Sequence, residues 1–156
     1  MWNWKMIHED NDLVYYMDIE NISDSKADED GIYSSFECYQ TLSDRVAIWV
    51  MFFIKNKDII KRYNEYLKEN GIVPKGYRDY SSTLCLVELD ATKELYRVIP
   101  ALDYDSKGRE LGVSKIITDD GKSFIKGIKG DWSSIKSRNT NKAIKTIFKF
   151  LYRSDN

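Results

Sequence analysis

The chain has little of the chemistry that most enzymes and metal proteins use. Its 156 residues include one histidine, His8, and two cysteines, Cys38 and Cys85. A hydrolytic triad needs a histidine beside a serine or cysteine and a carboxylate, and no glycine pattern of the nucleophile-elbow type flanks any serine here. One histidine and two cysteines also lack the spacing of a zinc ligand set. The sequence therefore predicts no hydrolase, no metal centre and no cofactor.

Long hydrophobic runs and an excess of one charge are also missing. The longest apolar run, residues 46–54, has the length of a strand, whereas a membrane-spanning helix needs about 20 apolar residues. The 24 Lys and Arg against 25 Asp and Glu give a net charge of -1, which argues against a domain built to coat nucleic acid or a bilayer. Residues 1–5 lack the features of a secretory signal. We expect a soluble protein with no transmembrane segment and no nucleic-acid partner.

Charge is distributed unevenly along the chain. Residues 1–40 contain ten acidic and two basic side chains, whereas residues 121–156 contain nine basic and two acidic ones. The folded domain therefore either has a strong dipole or brings its two ends together so that they neutralise each other.

The acidic part of the chain contains the nearest approach to a metal motif. Four residues have the spacing of ligands in a calcium-binding loop: Asp28, Asp30, Gly31 and Glu37. The first ligand position, however, holds Lys26, whose cation repels calcium. We therefore expect no metal and interpret residues 23–31 as a mobile, solvated acidic loop with too few apolar side chains to pack.

Alternation of apolar and polar residues predicts six strands in meander order. The predicted strands cover residues 2–6, 13–19, 45–54, 77–90, 93–103 and 109–117. The third of them is apolar at nearly every position, so we expect both of its faces to be covered.

Two helices are predicted from helical spacing and capping residues. Asn56 caps a helix over about residues 57–70. A C-terminal helix over about residues 141–153 is capped by Thr140 or Asn141. The apolar stripe of this last helix consists of Ile144, Ile147, Phe148 and Leu151.

Four short motifs follow one another along the chain. In order they are Tyr15-Tyr16-Met17-Asp18 with Ile22, Val46-Ala47-Ile48-Trp49, Tyr80-Ser81 leading to Cys85, and Asp131-Trp132-Ser133-Ser134-Ile135 before the amphipathic tail. In this order and spacing the chain resembles the surface-adhesin protein E family of bacterial envelope proteins. The resemblance and the periodicity together predict a single α+β domain over residues 1–156. Its twisted, curled antiparallel sheet of about six strands packs on the C-terminal helix, and the other helix is an insertion.

The resemblance implies a non-enzymatic, adhesin-like binding domain at the cell surface, in the periplasm or outside the cell. Its partner would be an extracellular protein or an acidic glycan. Because residues 1–5 show no signal peptide, a cytoplasmic relative stays open. The alternative is a small-molecule carrier or periplasmic accessory domain with a pocket between sheet and helix.

Cys85 occupies, in this resemblance, the position of a strand cysteine whose partner lies in the C-terminal helix. Residues 140–156 contain no cysteine. We therefore expect a buried free thiol that packs as a small hydrophobic group. The alternatives are a disulfide with Cys38 and a catalytic thiol.

Two surfaces are candidates for binding. Four basic side chains lie on the last helix opposite its apolar stripe and are the candidate binding residues: Lys142, Lys145, Lys149 and Arg153. Such a stripe binds a sulfated glycan, an acidic protein or a lipid headgroup, or is a plain solvated face. The eleven Tyr and four Trp predict the second surface, because the aromatic side chains on the sheet face away from the helix need a cover or a partner. We expect an extracellular partner to be recognised mainly through the basic face of the helix. The aromatic face, if it is exposed in the monomer, is expected to mediate self-association as a homodimer.

Overall fold

The structure, a computed structural model, describes residues 2–24, 34–35, 44–72 and 75–152. These residues form an α+β fold with one antiparallel sheet and two α-helices, which confirms the predicted fold class. The strands are β1 (Trp4–Glu9), β2 (Leu13–Asp18), β3 (Ser23–Asp24), β4 (Ser34–Ser35), β5 (Arg45–Ile54), β6 (Tyr80–Asp90), β7 (Leu95–Asp105), β8 (Glu110–Val113) and β9 (Ser133–Ser134). The helices are α1 (Lys57–Glu69) and α2 (Lys142–Tyr152).

Six strands form the main path of the sheet, in the order β1-β2-β5-β6-β7-β8. Each strand of this path pairs antiparallel with the next, as the predicted meander requires. The helix α1 lies between the third and fourth strands of the path, where an inserted helix was predicted. The short strands join at the side: β3 pairs with β4 and β5, and β9 pairs with β7.

The predicted acidic loop over residues 23–31 is wrong at its first two residues. Ser23 and Asp24 form β3, because their backbone pairs with Ala47 and Val46 of β5 beyond the end of β2. The remainder of this loop lies outside the described residues. The same is true of the calcium-type positions and their preceding lysine: Lys26, Asp28, Asp30, Gly31 and Glu37.

Several strand ends differ from the predicted ones. The predicted strands at residues 2–6 and 93–103 begin two residues later, and the one at residues 77–90 begins with a 3₁₀ turn at Tyr77–Asp79. The last predicted strand, residues 109–117, ends at Val113. It ends early because the backbone N–H of Lys115 donates to the hydroxyl of Tyr63 in α1, at 2.6 Å, instead of continuing the ladder with β7.

Both helices begin where capping residues predicted. The Asn56 side chain accepts a hydrogen bond from the Asp58 N–H at 2.9 Å, and the Asn141 side chain accepts one from the Ala143 N–H at 2.8 Å. The buried side of α1 consists of Ile59, Tyr63 and Leu67. In α2, Ile144 and Ile147 are buried and Phe148 and Leu151 pack half-buried against the same core, as the apolar stripe predicted.

The sheet has an inner and an outer face, because successive side chains of a strand point to opposite sides. The inner face joins both helices in the hydrophobic core and includes Met17, Val50 and Val87. The outer face is only partly covered: Ala47 of β5 is 1% exposed and Phe53 is 40% exposed, so the expectation that both faces of this strand are covered holds for the inner face and for one part of the outer face. Neither α1 nor α2 is long and apolar enough to cross a membrane.

Candidate functional site

The sequence motifs supply residues with clear structural roles. Asp18 is fully buried and accepts hydrogen bonds from the backbone N–H groups of Asn3 and Glu20 at 3.0 and 3.1 Å, which fixes the end of the first hairpin. Ile135 is buried in the core at 4% exposure. Asp18 and Ile135 therefore have structural roles, and their contacts do not point to a catalytic one.

His8 and Cys85 lie in separate environments. The His8 ring lies 5.6 Å from the Tyr15 ring, and its Nε2 is 3.9 Å from Asp10, whose carboxylate holds the turn between β1 and β2. Cys85 is a fully buried free thiol on the inner face, as predicted, and burial raises its pKa well above the usual range. Cys38 lies outside the described residues. Among the described residues, no group of three or more His, Cys, Asp or Glu side chains is placed to hold a metal ion.

The most concentrated polar cluster surrounds Asp103 of β7, which is fully buried on the inner face. Its Oδ2 accepts hydrogen bonds from the hydroxyls of Tyr63 at 2.6 Å and Tyr77 at 2.9 Å. Its Oδ1 accepts one from Thr83 at 2.6 Å, and the Thr83 hydroxyl is in turn hydrogen-bonded to Tyr80. In the part of the chain that the structure describes, no cation forms an ion pair with this carboxylate.

The environment of Asp103 shifts the pKa values of the whole cluster. Burial raises the pKa of the Asp103 carboxyl above its usual range, although the surrounding hydroxyl hydrogen bonds oppose that rise. Burial, and secondly the nearby carboxylate, raise the pKa values of Tyr63 and Tyr77, so both phenols remain protonated donors. The cluster thereby connects α1, the 3₁₀ turn, β6 and β7. We interpret it as a structural junction.

One end of the outer face carries an open aromatic surface. The Trp2 ring stacks on Trp4 with centroids 5.2 Å apart, and its edge meets Trp49 at 6.3 Å. Trp2 is 50% exposed. Beside these rings lies a hollow of about 450 Å³, which we call the aromatic hollow and which is lined by Trp4, Val14, Tyr16, Met51 and Phe53.

The other end of the outer face is closed by Trp132, the tryptophan of the last motif. The guanidinium groups of Arg45 and Arg97 lie 4.9 and 4.8 Å from the centre of its ring. Glu88, which is only 1% exposed, accepts a hydrogen bond from Arg97 Nε at 2.6 Å and lies beneath this cover. The aromatic hollow therefore lies at the end of the face that Trp132 does not cover.

The predicted basic stripe lies elsewhere. Lys142 and Lys149 are exposed and Lys145 is half-buried, whereas Arg153 lies outside the described residues. The helix α2 packs on the inner side of the sheet, where Lys5 of β1 lies 5.8 Å from the Phe150 ring. The stripe and the aromatic hollow are therefore on opposite sides of the sheet, and one small ligand cannot contact both.

Sequence reasoning identified the aromatic residues but not their arrangement. The alternation of β5 placed Trp49, Met51 and Phe53 on one face, and this signal was correct. The convergence of Trp4 and Tyr16 on the same hollow as Met51 and Phe53 depends on strand register, which the sequence does not display. The Asp103 cluster gave no sequence signal, because its members come from distant parts of the chain.

Relatives do not decide between these surfaces. A scan against protein-family models, a search of curated proteins and a search of solved structures each give no match to this chain. The resemblance to the protein E family therefore stays a prediction, and function has to be argued from the geometry of the chain itself.

Proposed function

We propose that this chain is a non-enzymatic binding domain that recognises a protein partner through the aromatic hollow. The observation that carries the proposal is the exposure of large aromatic side chains around the hollow, with Trp2 at 50% and Phe53 at 40%. Tryptophan provides a large apolar contact area with few rotatable bonds, and such residues dominate the binding energy of protein interfaces. The stacking of Trp2 on Trp4 also positions the rings before a partner arrives.

The lining of the hollow favours a protein over a glycan. Of its side chains, only Tyr16 and Trp4 carry a hydroxyl or N–H group, whereas Val14, Met51 and Phe53 are apolar. A sugar ring brings several hydroxyl groups, which lose free energy when they are buried without hydrogen-bond partners. An apolar side chain of a protein partner meets no such penalty.

Two further features belong to the same proposal. The core is filled where α2 meets the sheet, since the side chains there are at most 1% exposed: Ile144, Ile147 and Cys85. A filled core at that place supports a binding domain over a small-molecule carrier, which would need a pocket between sheet and helix. Following the protein E resemblance, we place the domain at the cell envelope or outside the cell, where its partner would be an extracellular protein.

Selection from a random-peptide display library tests the proposal. We expect the immobilised chain to enrich peptides with aromatic or large aliphatic side chains. Their affinity for a Trp2→Ser/Phe53→Ser variant should be at least tenfold weaker, a loss of about 1.4 kcal/mol, because both changes remove exposed apolar contact area. Both residues are exposed, so the variant should fold, which circular dichroism verifies.

A Lys142→Ser/Lys149→Ser variant is the matched control, since it removes two exposed side chains on the opposite side of the sheet. Peptides that bind through the hollow should bind this control as they bind the parent. Enrichment of acidic peptides that lose affinity for the lysine variant and not for the aromatic one would contradict the proposal and assign binding to the basic stripe. A parent chain that sediments as a dimer, with the aromatic variant monomeric, would instead make a second copy of this chain the occupant.

A further inference from the structure

A second concave surface lies beside α1, at the point where two strands separate. The ladder between β5 and β6 ends at the pair Phe53 and Ser82. Beyond that pair β5 leads into α1, and β6 continues back to the 3₁₀ turn. The space between them is a groove of about 690 Å³, with Ile54, Ile60 and Tyr80 among its lining residues. We call it the basic groove.

One wall of the basic groove is a row of lysines on α1. Lys57, Lys61 and Lys68 are four and seven residues apart, which aligns them along one side of a helix. At a rise of about 1.5 Å per residue, the row extends over about 16 Å. Arg78 lies among the lining residues from the 3₁₀ turn. All four cations are exposed, and none forms an ion pair with another residue of the described ranges.

The basic groove has few acidic groups to neutralise these cations. Of its lining side chains five are basic and two are acidic. Lys55, the fifth cation, is already paired with Glu9 at 2.7 Å. The carboxylate of Asp79 accepts a hydrogen bond from the Ser106 hydroxyl at 2.6 Å, which leaves Glu65 as the one lining carboxylate for which the described residues supply no partner. The groove therefore keeps a local excess of positive charge.

We infer that the basic groove binds an extended acidic peptide segment of a partner protein. Charge complementarity requires an anion, and the row of lysines matches about five residues of an extended chain at roughly 3.3 Å each. Ile54 and Ile60 are half-buried in the groove and offer contact area to an apolar side chain between the acidic ones. A sulfated glycan has the charge but no such side chain. The inference goes beyond the proposed function, because it concerns the basic groove and does not depend on binding at the aromatic hollow.

The groove adjoins the aromatic end of the outer face. Ser81 and Ser106 line the groove and also line a shallow hollow bounded by Trp2 and Phe53. A single partner chain can therefore continue from one surface to the other around these serines.

Fluorescence anisotropy with a labelled peptide of sequence Glu-Leu-Glu-Glu-Leu-Glu tests this inference on the full chain. We expect binding that weakens at least tenfold in a Lys61→Glu/Lys68→Glu variant, because two attractive charges become repulsive. Affinity should also fall between 0.05 and 0.5 M NaCl, since screening shortens the range of charge interactions. Conversely, Glu65→Gln should tighten binding by about threefold, because it removes a carboxylate that repels the acidic peptide. This variant tests the groove without weakening the fold.

Two control variants locate the site. Lys145→Glu/Lys149→Glu makes the same change in net charge on α2 and should alter the affinity by less than about twofold. Trp2→Ser/Phe53→Ser should leave the peptide affinity unchanged. The experiment can therefore contradict binding at the basic groove without contradicting binding at the aromatic hollow, and the reverse.

Three outcomes would overturn the inference. The first is that the parent chain does not bind the peptide. The second is that the α1 and α2 charge reversals weaken binding equally, which would mean that only net charge matters. The third is that Lys61→Glu/Lys68→Glu weakens the binding of a heparin hexasaccharide but not that of the peptide, which would make the ligand a glycan.

Discussion

Replacing Asp103 by Ala is expected to lower the free energy of unfolding by about 3 kcal/mol, because it leaves several buried hydroxyl groups without an acceptor. The hydroxyls of Tyr63, Tyr77 and Thr83 all donate to this carboxylate, at 2.6, 2.9 and 2.6 Å. Each buried donor that loses its partner is worth about 1–3 kcal/mol, and removing a desolvated carboxyl group offsets part of the sum. Urea unfolding at neutral pH measures the effect.

Asp119→Ala is the control for this change, since Asp119 is an exposed carboxylate in a loop. Its substitution should change the free energy of unfolding by less than about 0.5 kcal/mol. If Asp103→Ala were as stable as this control, the Asp103 cluster would not stabilise the junction between the helix and the sheet.

The ionisation of Asp103 also predicts a pH dependence. Burial raises the pKa of this carboxyl in the folded state, so the folded chain holds the proton more strongly than the unfolded chain does. The stabilisation is fully present below the unfolded pKa, which is about 4, and is lost as the pH rises through the folded pKa. Relative to Asp103→Asn, the parent should therefore gain stability as the pH falls from 7 toward 4. Urea unfolding across this range measures the difference, and a relative gain with rising pH would contradict the assignment.

Replacing Ile147 by Ala should destabilise the chain by about 2–5 kcal/mol, because it opens a cavity in the core. Ile147 is fully buried and belongs to the same core as the inner face of the sheet. For a domain of this size, a loss of that order lowers the melting temperature by about 10 °C. Phe148→Ala should have a smaller effect, since its ring is only half-buried.

Lys149→Ala tests whether any change in α2 is destabilising. This lysine is exposed on the same helix, and Ala has the higher helix propensity, so the melting temperature should change little. An unchanged melting temperature for Ile147→Ala as well would mean that α2 is peripheral to the core.

Local patterns were sufficient for most of the fold. The apolar run of β5, the cap of α1 at Asn56 and the apolar stripe of α2 each arise from residues that are neighbours in sequence or within two helical turns. These features depend on short-range effects, namely side-chain alternation, capping hydrogen bonds and helical periodicity. The sequence therefore displays them directly. The order of the six main strands followed because strands that are consecutive along the chain usually lie beside each other in a sheet.

Two of the errors occurred where a distant group decides a backbone hydrogen bond. The backbone N–H of Lys115 donates to a hydroxyl from α1, and this contact ends β8 before the predicted residue. Ser23 and Asp24 became a strand because β5 extends beyond β2 and offers unpaired backbone groups. Neither event has a local signal, since the partner lies far away along the chain.

The amino-acid sequence by itself determined the fold class, the helix caps and the face on which each side chain of β5 lies. Only the tertiary structure decided the surfaces. Trp132 covers one end of the outer face, Trp2 stacks beside the open end, and α1 brings its lysines to a groove that Arg78 also lines. The physical reason is that exposure is a property of packing between elements. Helical spacing alone puts Lys57, Lys61 and Lys68 in one row. The row becomes a wall of a groove because β5 and β6 diverge beside it.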